Sequence, residues 1–193
     1  MKIGFDFDNT IVCYDEAFAI LSGTLNLPTE LSRNKLSIRD YLRSENRESE
    51  WTEFQGTLYG PGMQHARPYE SFVETAQYLK LQDHELFIVS HRSKYPYAGE
   101  KHDLHHFAKN WISKQINSNQ LIDNKNIYFL ETLNNKISKI EELQIDLFID
   151  DLTDVINHEL FPLKTKSILF DPDNKKKEIQ NRIYNWKQIV SYV

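Results

Sequence analysis

Five short apolar runs punctuate the chain, at residues 2–5, 85–90, 126–132, 145–151 and 164–170. Each has strand length, and three are nearly continuous, 126–132 together with Glu-Leu-Phe-Ile-Val-Ser at 85–90 and Ile-Asp-Leu-Phe-Ile-Asp-Asp at 145–151. That is the pattern of strands buried on both faces of a parallel sheet. Between the runs the apolar period lengthens to three and four. Phe18, Leu21 and Leu25 predict a helix over 14–25 that closes before Pro28. Ser37 is a cap for a second helix through about Leu42, and Trp51, Phe54 and Leu58 predict a third over 48–59, broken by Gly60-Pro61-Gly62. Pro68 suits the first turn of a helix with Phe72, Ala76 and Leu79 on one stripe. Further helices are predicted from Leu104 to Ile116, over 133–143, and at the end from Ile179, Ile183, Trp186 and Ile189. Strands alternating with helices predict an α/β fold, with residues 15–63 as a helical insertion and 1–14 plus 64–193 as the core.

In open α/β sheets the ligand site forms beyond the carboxyl ends of the strands. Asp6 and Asp8 stand just past the first run, and because strand residues alternate faces, two acids two apart point the same way. Two like charges so close repel, and a hard cation with oxygen ligands, Mg²⁺ above all, relieves them. The segment by itself also fits a solvated Asp-Asn turn with Thr10 as a helix cap. The second run ends at Ser90, and the 145–151 run ends in a further acidic pair, Asp150-Asp151.

Asp6-x-Asp8-x-Thr10, Ser90 after an apolar run, a lysine ahead of the 145–151 run, and Asp150-Asp151 follow one another in order along nearly the whole chain. In these four motifs the chain resembles the haloacid dehalogenase (HAD) superfamily of phosphohydrolases. The resemblance implies a Rossmann-like three-layer sandwich with a central parallel sheet, and a small helical cap formed by residues 15–63. It also implies a Mg²⁺-dependent phosphatase that hydrolyses a small phosphomonoester, a sugar phosphate or similar metabolite, through an aspartyl phosphate. Asp6 would be the nucleophile, and Asp8 would protonate the leaving group and then activate water. Thr10 would orient the loop, while Ser90 and the lysine would bind the phosphoryl group. Mg²⁺ would be held by Asp6, the backbone carbonyl of Asp8 and Asp150, with Asp151 supporting the site. Dehalogenases of the superfamily lack the second acid of the first motif, so dehalogenation is not expected.

Two lysines compete for the third motif. Lys136 and Lys139 both lie on the 133–143 helix, but Lys139 is about 4.5 Å farther from its N-terminus, which faces the site. Lys136 is therefore the expected one. After Ser90 come His91, Arg92 and Lys94, a basic loop at a strand end. It is a candidate for selecting the substrate's leaving group, with an ordinary surface loop as the alternative. His102, His105 and His106 lack an accompanying Glu or Cys and read as a solvated helix start. Asp171, followed by Pro172, reads as a turn residue.

Composition narrows the partners. The 193 residues suit one α/β domain with an insertion, and no apolar run approaches the roughly 18 residues of a membrane span. A net charge of −5 gives no footprint for a nucleic acid polymer. Cys13 is the only cysteine, so neither an internal disulfide nor a cysteine zinc site can form. A cleaved leader would remove the first strand and motif, so a soluble, reduced, cytoplasmic protein is expected. Other functional readings are a 5'-nucleotidase-like enzyme acting on nucleoside monophosphates, a phosphomutase, or a non-catalytic phosphate or Mg²⁺ binding module. A receiver-like regulator would place its acid after a middle strand. Oligomeric state is not legible.

Overall fold

The computed structural model describes residues 1–32, 34–117 and 120–193. In chain order its elements are β1 (Lys2–Phe5), β2 (Val12–Cys13), α1 (Asp15–Ser22), α2 (Lys35–Ser44), α3 (Glu48–Tyr59), β3 (Arg67–Pro68), α4 (Phe72–Leu81) and β4 (Glu85–His91). Then follow α5 (Leu104–Gln115), β5 (Ile127–Leu130), α6 (Leu133–Glu142), β6 (Leu147–Asp150), α7 (Thr153–Ile156), β7 (Lys166–Phe170) and β8 (Arg182–Ile183). A 3₁₀ helix spans Trp186–Tyr192. Among the described residues no helix is long and apolar enough to cross a membrane.

Six strands form one sheet in the order β5-β4-β1-β6-β7-β8, every neighbouring pair parallel. This is the Rossmann-like α/β fold that the apolar runs predict. The chain builds outward from β1 to β4 and β5, then returns to the other side of β1 with β6. The order reverses between β1 and β6, where such sheets open a crevice at their carboxyl ends.

The alternation of side chains sorts the two faces. Phe87, Val89 and Phe148 turn towards Ile137 and Ile140 of α6 and Val155 of α7. Gly4 shares that face, and a Cβ there would lie 2.7 Å from the Phe148 ring, so this ring occupies the space of the missing side chain. Phe5 points to the opposite face, edge-on to Phe72 of α4 and to Trp186, with Phe170 stacked on the same indole. Helices thus cover both faces, as a sheet of continuous apolar strands requires.

The described chain falls into two compact units. One comprises Met1–Cys13, Pro68–Arg92 and Lys114–Val193; the other comprises Tyr14–Arg67 and Ser93–Ser113. The second unit holds α1 to α3, packed through Phe18 against Phe54 and Tyr14 against Tyr59. It also takes in the segment after β4, which lies outside the expected insertion 15–63. That segment belongs there because Pro96 presses on Gly56, where a Cβ would come within 2.8 Å, and the Trp111 indole donates to the Ala66 carbonyl at 3.0 Å.

Three local expectations differ from the structure. Asn34 caps α2, accepting the Ser37 amide at 2.9 Å, so the helix starts two residues before the expected cap. Pro68 lies in β3, and its helix begins at Phe72. The last predicted helix is instead β8 followed by the 3₁₀ helix. The Leu169 amide donates to the Asn181 carbonyl and the Asp171 amide to that of Ile183, adding a sixth strand. Ile183, Trp186 and Ile189 are spaced by three, a period that a 3₁₀ turn satisfies as well as an α-helix does.

Candidate active site

β1 delivers Asp6 to the crevice while still in the ladder, its amide donating to the Ile149 carbonyl at 2.8 Å. Beyond it the chain turns sharply. Asn9 adopts φ 58°, a left-handed conformation that asparagine tolerates, and the Ile11 and Val12 amides both donate to the Phe7 carbonyl at 3.0 Å. The loop is tied to the end of β6 through Thr10, whose hydroxyl accepts from the Asp151 amide and donates to Asp151 Oδ1, each at 3.1 Å.

Lys136 joins the two strand ends. It sits in the first turn of α6, whose start is set by Thr132 accepting the Asn135 amide. Its Nζ lies 2.5 Å from both Asp6 Oδ1 and Asp150 Oδ2, and the lysine and Asp150 are completely buried. Asp150 Oδ1 accepts the Leu152 amide at 2.9 Å. Lys139 instead pairs with Glu142 on the helix surface.

The electrostatics of this cluster are unbalanced. Ligand oxygens of Asp6, Asp150 and Asp151 all lie within 4.8 Å of one another. With all three ionised, three carboxylates against one ammonium would leave two negative charges. Burial, Asp150 and Asp8 push the Asp6 carboxyl up to about 6 against the pull of Lys136. Burial, Asp6 and Asp150 push Asp151 up to about 8 against Thr10 and Lys136. Burial alone would lower the Lys136 ammonium, but Asp6 and Asp150 outweigh it and hold it above the usual lysine value. A divalent cation among these oxygens would cancel the excess, and the all-oxygen donor set suits Mg²⁺.

Asp8 has a cation of its own. Arg92 Nη1 donates to Asp8 Oδ1, with the Arg92 side chain only 4% exposed. Sequence reasoning offered Arg92 as a contact to the substrate's leaving group or as part of a surface loop; the structure directs it at Asp8. Ser90 is buried near the end of β4, in register with Phe129. His91 is half-buried, its Nδ1 buried and without a hydrogen-bond partner, and burial and Lys136 hold the ring below the usual histidine value. Lys94 lies in the second unit, half-exposed, 4.0 Å from Asp103 and over the Tyr95 ring.

One further cation was missed by sequence reasoning. Lys176 Nζ donates to the Asp151 carbonyl at 3.2 Å. Asp171 holds its loop by accepting the Lys175 and Lys176 amides at 3.2 and 2.8 Å, a turn role rather than a site role. The visible signal was a lysine run after Asp-Pro, which alone reads as a solvated turn.

No family model and no curated protein matches the chain. Solved structures do. A predicted phosphatase from Clostridium acetobutylicum matches with a TM-score of 0.62 at 17% identity, covering 98% of each chain. A predicted phosphoglycolate phosphatase from Haemophilus somnus matches with a TM-score of 0.62 at 15% identity, covering 99% of this chain and 96% of that one. A HAD family hydrolase from Deinococcus radiodurans, with bound phosphate and sodium, matches with a TM-score of 0.58 at 12% identity over 99% and 93%. The chain has the fold of the HAD-superfamily hydrolases.

Proposed function

We propose that the protein is a Mg²⁺-dependent phosphatase acting on a small phosphomonoester, a sugar phosphate or similar metabolite. The observation that carries this reading is the Lys136 bridge. One buried ammonium joins an acid from each of two strand ends, with the Asp151 carboxyl beside them and more acids than cations in the cluster.

The geometry supports the following roles. Asp6 is the nucleophile, aimed into the crevice by the β1 ladder; its attack on phosphorus gives an aspartyl phosphate and divides the reaction into two easier steps. Lys136 holds Asp6 in place and meets the negative charge that gathers on the phosphoryl oxygens. The buried Ser90 hydroxyl supplies a neutral donor to the same oxygens. Asp8 gives its proton to the departing oxygen and takes one from the attacking water. Thr10 locks the nucleophile loop to β6. Asp6 and Asp151 are the carboxylates that would hold Mg²⁺, with the Asp8 carbonyl completing the set. Asp150 is already engaged by Lys136 and the Leu152 amide and acts as the lysine's counter-charge. When bound, Mg²⁺ supplies charge neutralisation at the phosphoryl group. His91 and Lys94 are the candidates for contacts to the rest of the substrate.

The test is inorganic phosphate release from a panel of sugar phosphates, nucleoside monophosphates and phosphoglycolate, with Mg²⁺ and after stripping by EDTA. Release that depends on Mg²⁺ and is lost in Asp6→Asn is expected. Turnover undiminished by chelation would overturn the metal role, and a preference for nucleoside monophosphates would move the assignment to a nucleotidase.

A further inference from the structure

We infer that Arg92 is a positioning residue, holding the carboxylate of Asp8 in the geometry that proton transfer needs, rather than a residue that reads the leaving group. The inference rests on the phosphatase reading, in which Asp8 handles the protons. Asp8 sits on the loop after β1, beyond the ladder, and its side chain is 21% exposed. A loop-borne acid that must serve first the leaving oxygen and then a water needs its rotamer set by a neighbour.

Arg92 is built to be that neighbour. Its own amide donates to the Leu130 carbonyl at 2.7 Å, extending the β4–β5 ladder by one bond beyond β4, so its backbone is as fixed as the sheet. The guanidinium lies over the Phe7 ring, 5.8 Å from the centroid, and Phe7 is held edge-on by Phe129 of β5 at 5.4 Å. Nη1 then meets Asp8 Oδ1. A guanidinium stays charged at every working pH, so the contact persists through the catalytic cycle. The two acids of Asp-x-Asp are thereby assigned to different cations, the nucleophile to Lys136 and the proton carrier to Arg92. With 4% exposure and its charge directed at Asp8, the Arg92 side chain is poorly placed to contact a distant part of a substrate.

The test is a double-mutant cycle on kcat and KM for an alkyl phosphate that the wild type hydrolyses. Arg92→Met should lower kcat about 10²-fold with little change in KM, as expected for a misplaced catalytic group. Arg92→Lys, which keeps the charge but not the fork, should recover part of that loss. In an Asp8→Asn background the same Arg92 changes should cost no more than about two-fold, because a residue acting through Asp8 has nothing left to position. Losses that add across the cycle would overturn the positioning role, as would a loss confined to KM. Should Arg92→Met fail to fold, the Arg92→Lys arm of the cycle is read by the same criterion. Absence of phosphate release from every ester by the wild type would overturn the phosphatase reading itself, whereas an active wild type with additive losses overturns only the role of Arg92.

Discussion

At the end of β1 the two acids stand two residues apart, Asp6 on Lys136 and Asp8 on Arg92. At the end of β6 they are adjacent, Asp150 on Lys136 and Asp151 on the Thr10 hydroxyl and amide network. The first end therefore has a cation for each carboxylate, one of them shared; at the second, among the described residues, only that shared cation meets a carboxylate, with Lys176 on the Asp151 carbonyl. The surplus charge falls on Asp151, which burial, Asp6 and Asp150 push up to about 8. An acid pair is thus not one kind of site: spacing decides whether its members reach separate partners. At β6 adjacency sends one carboxylate inward to the lysine and leaves the other on the Thr10 hydroxyl.

The widest separation between the four acids should appear in turnover. Asp6→Asn removes the proposed nucleophile and should reduce phosphate release by roughly 10⁴-fold or more. Asp8→Asn should cost about 10²–10⁴-fold, and least for aryl esters, whose leaving oxygen needs no proton. Equal losses for aryl and alkyl esters would remove Asp8 from the acid role. A phosphorylated protein trapped in the wild type and absent from Asp6→Asn would locate the covalent step.

Stability should divide the acids differently. Lys136→Met leaves Asp6 and Asp150 buried without their shared counter-charge, and unfolding in denaturant without Mg²⁺ should show a loss of about 3–5 kcal/mol. A loss near zero would mean that the carboxylates already hold protons in the fold and need no lysine.

Much of this site was legible because short-range rules govern it. The end of the first apolar run marked Asp6, and the rise of a helix chose Lys136 over Lys139, the lysine whose Nζ meets Asp6 and Asp150 being the former. Strand-length apolar runs gave five of the six strands of the central sheet. What escaped depended on tertiary choices. Nothing local says whether a residue after a strand end turns in or out, and Arg92 turns in because Asp8 lies on the adjacent loop, 84 positions earlier in the chain. β8 escaped because two residues carry no strand period, and their spacing to Trp186 and Ile189 mimics a helix. The segment after β4 looked like core because of its position in the chain, whereas Pro96 and Trp111 pack it with the helices of the second unit.

Metal affinity should sharpen the contrast at β6. Asp151→Asn removes a carboxylate that would face the cation, and Mg²⁺ titration followed by thermal shift should show affinity weakened about 10-fold or more. Asp150→Asn should weaken binding less and lower stability more, because it removes a fully buried partner of Lys136. The reverse ranking would return Asp150 to the position of metal ligand.

The smallest expected effect lies in the pH dependence of the metal-free protein. Asp6 at about 6 and Asp151 at about 8 both exceed the ordinary carboxyl value of 3.8. Between that value and the raised ones the folded state binds more protons than the unfolded chain, so stability contributed by these groups is present at low pH and lost as pH rises through their folded values. From pH 6 to 8 the EDTA-stripped protein should therefore lose several degrees of Tm, most of the change belonging to Asp151. Mg²⁺ favours the ionised carboxylates and should abolish the slope, because the cation replaces the proton as the partner of the surplus charge. Asp151→Asn should flatten the metal-free slope without Mg²⁺, since an amide neither titrates nor repels Asp6 and Asp150. A stripped wild type whose Tm is level or rising from pH 6 to 8 would show that Asp151 is ionised in the fold already, and would place its compensation in Thr10 and Lys176 rather than in a missing cation.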